Sequence, residues 1–472
     1  MTLMDVARGA YARSPVLVRR SLAPLVSLVP TKLKFGGTYR TWRERIQRAA
    51  ADPAYADECR TAALRSLLRK AHAGSPFYRQ WIDRAFGPQF DLSTARYSDL
   101  ARLPVLTKKV LRDAGDQALA VTKWEVDRSF TSGSNGERPF RFYLDRDRSA
   151  REMAFVYNNW ARIGFGEDQS KIVLRDFGLD PKGRYLSEWE PALRELRLSV
   201  FPMTREDVER YLDLIDQFEV RYLYGYPSSI ELLCRRMHQL GRTPKLPFKG
   251  ILPISEPLYE HQRRAISAVL GDVPIAMFYG LSEKALFADE VLGQPGVYDF
   301  NPIYGAAELV DEDGAVITEP GTEGRVVGTG FLSTAMPFIR YDTEDRARLV
   351  ALPGATNGYR LRVDKLIPRR KPDFLISKEG NRVVTIAFTS EDLRDFQGID
   401  EYQFYQDTPG KCIIRYIATP DGTEADALSF AADFHKRAHG AIDFSVQRVE
   451  RLAGGPAGKR AWIEQRIDIS RY

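Results

Sequence analysis

From Ala56 to Ala73 apolar residues recur at three- and four-residue spacing, which predicts a helix that Ser75-Pro76-Phe77-Tyr78 ends with a turn. Leu100 to Leu111 reads as a turn and a new helix start, with Thr107 as its cap. After Trp124 come a short strand, a Gly-rich stretch from Thr131 to Arg138, and a second strand from Phe140 to Leu144. The pattern is clearest at Tyr222 to Leu240. Arg221-Tyr222-Leu223-Tyr224 is strand-like and Gly225-Tyr226-Pro227 is a turn. Ser228 and Glu231 then form a capping box, and Ile230, Leu233, Cys234, Met237 and Leu240 recur at helical spacing before Gly241. Apolar strands at Gly250–Ile254 and Pro274–Tyr279 flank a helix at Tyr259–Leu270, the βαβ rhythm of an α/β domain. Ala306–Val310 and Ala315–Thr318 flank Asp313-Gly314 as a hairpin, and Tyr341 to Ile367 is hairpin-like.

Pro368-Arg369-Arg370-Lys371-Pro372 is a polar, proline-bounded break. Beyond it the pattern becomes a short α+β module. Its elements are a hairpin around Glu379-Gly380, a helix near Ser390–Phe396, strands near Tyr402–Phe404 and Cys412–Ile417, a helix from Thr423 to His439, and a strand near Ser445–Val449. The expected organisation is a basic N-terminal arm (1–50), a large α/β domain of layered sheets and helices (51–368), and a small α+β domain (369–472).

The 472 residues carry 69 Lys+Arg against 63 Asp+Glu, with 44% hydrophobic residues, which excludes a disordered or fibrous chain. Charge is uneven, since ten basic residues between Arg8 and Arg48 oppose only Asp5 and Glu44. That arm reads as a solvated helical segment packed on the main domain; its alternative is peripheral contact with an anionic membrane surface, which Pro15, Pro24 and Pro30 disfavour by interrupting a long amphipathic helix. No base-reading helix accompanies it, so nucleic acid is not an expected partner. Cys59, Cys234 and Cys412 are an odd, widely spaced set, suited to a reducing cytoplasm and not to a disulfide framework. The best apolar run, Val16–Val29, is broken by Arg19, Arg20 and Pro24, and is neither a membrane span nor a signal peptide.

The chemistry begins with Thr131-Ser132-Gly133-Ser134-Asn135-Gly136, whose hydroxyls and glycines let backbone N–H groups close around an anion. By itself it reads equally well as a Ser/Gly-rich turn. Four segments follow in order: Gly225-Tyr226-Pro227-Ser228, Ser255-Glu256-Pro257-Leu258, Phe278-Tyr279-Gly280-Leu281-Ser282-Glu283, and Met336 through Asp345. Arg370-Lys371-Pro372-Asp373 and Gly458-Lys459 complete the set. The ordered set resembles the adenylate-forming (acyl-AMP) superfamily, and within it the phenylacetate–CoA ligase-like enzymes, most closely the branch found with capsular polysaccharide genes. Lys34-Phe35-Gly36-Gly37-Thr38-Tyr39 and Ser75-Pro76-Phe77-Tyr78-Arg79 extend the resemblance to almost the whole chain.

The resemblance implies a large N-terminal adenylate-forming domain with a mobile C-terminal cap, activating a carboxylic acid with ATP and Mg²⁺. Thr131, Ser132, Gly133, Ser134, Asn135 and Gly136 would hold the β and γ phosphates, and Glu283 would ligate Mg²⁺ as a catalytic residue. Tyr279 would lie against adenine, with Gly280 and Ser282 in the same motif and Ser255, Glu256 and Pro257 lining the base. Asp345 would accept from the ribose hydroxyls, Arg370 would sit by ribose and phosphate, and Lys459 would bridge the reacting carboxylate and α-phosphate as the second catalytic residue. Read singly, Glu283 is a first-turn helix acid, Asp345 a loop acid and Lys459 a solvated loop lysine; Tyr224, Tyr226 and Ser228 either shape the acyl pocket or pack at a strand end.

Departures from the family pattern are an extra residue in Gly136-Glu137-Arg138-Pro139, Glu344 and Arg369 in place of glycines, and Pro372 at the hinge. No zinc is expected, because Lys284–Tyr304 contains neither Cys nor His and His435 with His439 lack a third ligand. Coenzyme A is the acceptor the resemblance implies by default, an amine of a sugar or amino acid the alternative, and a non-catalytic nucleotide- or acyl-binding member a reading of another class. The partners expected are thus small molecules, a carboxylic acid and its acceptor, with oligomeric state left open, a dimer included.

Overall fold

The computed structural model describes residues 36–130, 140–175, 186–191, 193–200, 203–367, 374–384, 398–452, 463–468 and 471. The chain enters through helices α1 (Gly36–Ala51), α2 (Pro53–Gly74) and α3 (Pro76–Phe86). Asp52 starts α2 by accepting from Ala54 N at 3.0 Å and Tyr55 N at 3.1 Å, with Pro53 at the first helical position. Where the sequence suggests only a turn at Ser75, the structure begins α3. The Ser75 side chain accepts from Tyr78 N, and Pro76 supplies a helical φ without needing a hydrogen-bond acceptor. Thr107 caps α4 (Lys108–Ala114) as expected.

The hairpin arms β1 (Val126–Phe130) and β2 (Arg141–Asp145) pair antiparallel, and α5 (Arg148–Ala161) follows. Next come β3 (Lys171–Leu174), β4 (Ser187–Glu190), β5 (Glu195–Leu198), α6 (Arg205–Phe218), β6 (Tyr222–Gly225), α7 (Pro227–Leu240), β7 (Gly250–Pro253) and α8 (Glu260–Leu270). Among the described residues these strands form a sheet ordered β4-β5-β3-β6-β7, parallel except for the β4 edge. Its side chains alternate between two cores. Val173, Tyr222, Tyr224 and Leu252 face α1 and α5, while Ile172, Leu174, Leu223 and Ile251 face α6 and α7. A sheet covered on both faces by helices is doubly wound, and its crevice opens where β3 and β6 end.

The chain then leaves this sheet. Ile275 makes one parallel bridge to Ile251, and β8 (Phe278–Gly280) joins a second, antiparallel sheet with β9 (Phe287–Glu290), β10 (Tyr298–Phe300), β11 (Gly305–Val310), β12 (Glu323–Gly330), β13 (Tyr341–Ala351) and β14 (Arg362–Ile367). Its order is β11-β12-β13-β14-β10-β9-β8. The expected strand Pro274–Tyr279 is therefore a crossing between two sheets, and Ala315–Thr318 contributes a single bridge from Val316 to Val310.

Beyond Ile367, β15 (Phe374–Ile376) pairs with β16 (Arg382–Val384). Strands β17 (Ile399–Thr408), β18 (Lys411–Ala418), β19 (Asp443–Arg448) and β20 (Ile463–Gln465) carry α9 (Glu424–Arg437) on one face, where Phe430 and Phe434 pack against Tyr402 and Phe404. Thr423 and Asp426 form a capping box at the start of α9. The break at 368–372 and the expected helix near 390–396 lie outside the described residues. The three cysteines are buried and free, and burial pushes the Cys234 thiol up to about 12.

Candidate functional site

Two segments of the antiparallel sheet meet over residues that the motifs single out. The first leaves β8 at Tyr279, turns through Leu281–Lys284, and re-enters the sheet as β9. Gly305 and Gly330, opposite each other on β11 and β12, let this turn lie directly on the strands. A Cβ on Gly305 would stand 2.3 Å from the Ala285 carbonyl oxygen, and one on Gly330 would stand 2.8 Å from the Ala285 Cα. Glu283 thus sits in a turn, not in the first turn of a helix, and is 7% exposed.

The second segment is the start of β13. Pairing with β12 slips here, so that Thr343, Glu344 and Asp345 lie across from Val326 alone. Such a bulge re-aims a side chain. Thr343 Oγ1 donates to the Val326 carbonyl at 2.9 Å and accepts from Asp345 N at 3.2 Å; Asp342 accepts from Glu344 N at 2.8 Å and from Arg325 Nη1 at 2.5 Å. Glu344, where the family pattern has glycine, adopts φ 64°, the left-handed conformation that a glycine would adopt without steric penalty. The bulge therefore survives the loss of the glycine, and Glu344 faces Lys108 at 3.8 Å.

The two segments are tied by crossed hydrogen bonds. The Tyr279 hydroxyl donates to Asp345 Oδ2 at 2.5 Å, and the Tyr341 hydroxyl donates to Glu283 Oε1 at 2.8 Å. All four residues are buried. Burial, and after it the neighbouring charge of Asp345, holds the Tyr279 phenol far above its ordinary range, so it keeps its proton and remains the donor. The motifs by themselves assign Tyr341 no role. The signal was available, because each acid lies four residues after a tyrosine: Tyr279 before Glu283 and Tyr341 before Asp345.

A chain of edge-on aromatic contacts leads from this pair to β2. Tyr341 packs on Phe338 at 5.0 Å, and Phe338 on Phe142 of β2 at 5.7 Å. The arms β1 and β2 are thereby anchored beside Tyr341, whereas Thr131, Ser132, Gly133, Ser134, Asn135 and Gly136 themselves lie outside the described residues, as do Arg370 and Lys459.

The remaining motif residues gather at the crevice of the parallel sheet. The capping box expected from Ser228 and Glu231 is not formed, because Pro227 takes the first helical position and the helix starts one residue earlier. Instead Glu256 reaches across, accepting from Ser228 N on Oε2 and from Ser228 Oγ on Oε1, each at 3.1 Å. Glu231 is buried against Arg235 and Gln262. A carboxylate on the first N–H groups of a helix is favourable for both hydrogen bonding and the helix dipole. Ser255, beside it, is exposed with φ 65°, and Leu258 packs on the cluster that contains Tyr279. Gly280 and Ser282 are exposed and Pro257 is half-buried. Tyr224 is buried, its ring edge-on to Trp160 at 5.2 Å and its hydroxyl accepting from Arg175 Nη1 at 3.0 Å. Tyr226 is half-buried at the start of α7. Arg175, at the end of β3, belongs to none of the motifs.

Among the described residues no three His, Cys, Asp or Glu side chains gather as a metal cage, and no helix is long and apolar enough to cross a membrane. A single buried carboxylate does fit Mg²⁺ brought by a nucleotide, because that ion takes one or two protein carboxylates and draws its other ligands from phosphate and water.

This arrangement of sheets is found in solved structures of 2-hydroxyisobutyryl-CoA ligase. One in its thioesterification state aligns with a TM-score of 0.56 at 18% identity, over 90% of this chain and 93% of that one. The fold is that of the adenylate-forming ligases. Among curated relatives, the phenylacetate–coenzyme A ligase of Pseudomonas putida is 30% identical over 329 residues, 67% of this chain and 71% of its own length. The enzyme of that name from Escherichia coli is 29% identical over 355 residues, 71% of this chain and 75% of its own length. Protein CapK of Staphylococcus aureus is 23% identical over 383 residues, 78% of this chain and 81% of its own length. No family model matches the chain. The chain belongs to the phenylacetate–CoA ligase-like branch of the AMP-forming, adenylate-forming ligases.

Proposed function

We propose that this protein joins a carboxylic acid to ATP as an acyl-adenylate and then passes the acyl group to coenzyme A. The observation that carries the reading is the crossed pair of tyrosine–carboxylate hydrogen bonds. It brings Glu283 and Asp345, acids from motifs 62 residues apart in the chain, into one buried cluster.

In the first half-reaction an oxygen of the substrate carboxylate attacks the α-phosphorus, and the bond from that phosphorus to the pyrophosphate oxygen breaks. Asp345 accepts hydrogen bonds from the ribose hydroxyls, and the Tyr279 ring lies along the adenine with Ser255 to Pro257 beside it. Backbone N–H groups of Thr131–Gly136, in the chain between β1 and β2, hold the β and γ phosphates. Glu283 is the protein's ligand for Mg²⁺, an ion that neutralises charge on the leaving phosphates when bound. Lys459, on the smaller domain, approaches the carboxylate and α-phosphate when that domain closes, countering like-charge repulsion as the new bond forms. Arg370 serves ribose and phosphate near the hinge at Pro372. Tyr224, Tyr226 and Ser228 border the acyl end at the mouth of the parallel sheet. Glu256 acts through the start of α7, which it caps.

The test is pyrophosphate release with a panel of aryl, fatty and hydroxy acids, measured with and without coenzyme A. Release that depends on one class of acid, followed by thioester formation, supports the proposal. No release with any acid would return the chain to a binding role, and adenylate formation with amide but no thioester product would assign an amine acceptor.

A further inference from the structure

The crossed hydrogen bonds have an unexpected geometry. Each tyrosine serves the acid of the other segment, although each also has an acid four residues after it in its own. We propose that Tyr279 and Tyr341 are positioning residues that work across the pair: Tyr279 orients Asp345 toward the ribose, and Tyr341 orients Glu283 toward the Mg²⁺ that accompanies the phosphates. This inference rests on the nucleotide-binding reading given above.

A carboxylate on an exposed side chain samples several rotamers, and one buried beside a fixed hydroxyl does not. Tyr341 is among the most deeply buried large side chains, at 1% exposure, and its backbone bridges to Leu106. Tyr279 packs edge-on against Phe300 at 5.6 Å. Both hydroxyls are therefore fixed by the core behind them. A carboxylate has about four lone-pair sites, so the hydroxyl bond orients the group and leaves acceptor capacity for a ligand. The bulge at Thr343–Asp345 and the glycine-floored turn at Glu283 set the two backbones, and the crossed pair sets the two side chains. Because each segment carries one donor and one acceptor, displacing either segment breaks both bonds, which locks ribose and metal positions to each other.

The experiment is calorimetry with ATP, 2′-deoxyATP and ITP, in Mg²⁺ and in EDTA, on Tyr279→Phe and Tyr341→Phe, with thermal melting of each variant. Phenylalanine keeps the ring and its packing. Tyr279→Phe should lower the ATP over 2′-deoxyATP preference by about an order of magnitude, the scale of one hydrogen bond to a charged group. Its preference for ATP over ITP and its gain in affinity on adding Mg²⁺ should stay as in the parent. Tyr341→Phe should do the reverse, reducing the Mg²⁺-dependent gain and keeping the ribose preference. Either variant with both ratios unchanged, or each affecting only the acid of its own segment, overturns the proposal. If Tyr279→Phe melts below the assay temperature, the Tyr341→Phe arm decides alone. Asp345→Ala and Glu283→Gln separate this failure from that of the parent reading. If Asp345→Ala keeps the ribose preference, or Glu283→Gln keeps the Mg²⁺-dependent gain, the nucleotide assignment itself falls. If both lose them and the tyrosine variants do not, only the positioning role falls.

Discussion

Glu256 and Glu283 come from neighbouring motifs and are almost equally buried, at 6% and 7% exposure, yet the structure uses them differently. Both oxygens of Glu256 meet donors of one residue, Ser228, at the first turn of α7. Among the described residues Glu283 accepts from the Tyr341 hydroxyl, in a turn that lies against glycine-bearing strands. Equal burial thus hides a difference in which donors hold each carboxylate. A main-chain N–H and a hydroxyl at a helix start tie both oxygens of Glu256 to the scaffold, whereas the Tyr341 hydroxyl engages one oxygen of Glu283, which on the proposal above leaves the other for a ligand.

The largest effect that bears on this contrast should come from a third residue, the lysine expected to counter the same phosphate charge. Lys459→Ala should slow pyrophosphate release by about 10²–10³-fold, the usual consequence of losing one transition-state charge stabiliser, while ATP affinity by calorimetry stays as in the parent. A normal release rate would make Lys459 a surface residue and leave the acids without their partner. Glu283→Gln should follow, cutting Mg²⁺-dependent turnover at saturating ATP by about tenfold or more, since a neutral amide is a poorer ligand for a hard cation. Its melting temperature should barely move. Comparable turnover loss in Glu256→Gln would erase the distinction between the two acids.

Asp345→Ala should weaken ATP binding by about 1.5–3 kcal/mol, the range for hydrogen bonds to a charged group. Unchanged affinity would remove it from the ribose site. Glu256→Ala should show the opposite profile, losing about 1–2 kcal/mol of stability through the uncapped helix, with kcat within a few-fold of the parent. A stable but inactive variant would move Glu256 into the ligand site. The smallest effect is expected at Glu344. Glu344→Gly should raise stability by about 1 kcal/mol through relief of the left-handed backbone, because its half-exposed contact with Lys108 adds little. A lower melting temperature would mean that this contact stabilises more than the backbone strain costs.

Much of this was legible in the chain itself. The period-two alternation of Tyr222, Leu223 and Tyr224 and the helical spacing from Ile230 to Leu240 dictate a two-faced strand and the helix after it, since each side chain's direction follows from local backbone geometry. The ordered motifs likewise named Tyr279, Glu283 and Asp345, because residue type and spacing are properties of sequence. What the sequence could not decide was which partner each polar group meets. Ser228 has Glu231 at capping-box spacing, yet Glu256, 28 residues away, takes its N–H and hydroxyl. Pro274–Tyr279 has the composition of one strand, yet it crosses between two sheets. Tyr279 and Tyr341 each have an acid four residues on, yet each bonds the distant one. Local patterns fix direction and periodicity along the backbone, while hydrogen-bond pairing among buried side chains is settled by which segments the packed sheets bring within hydrogen-bonding reach of each other.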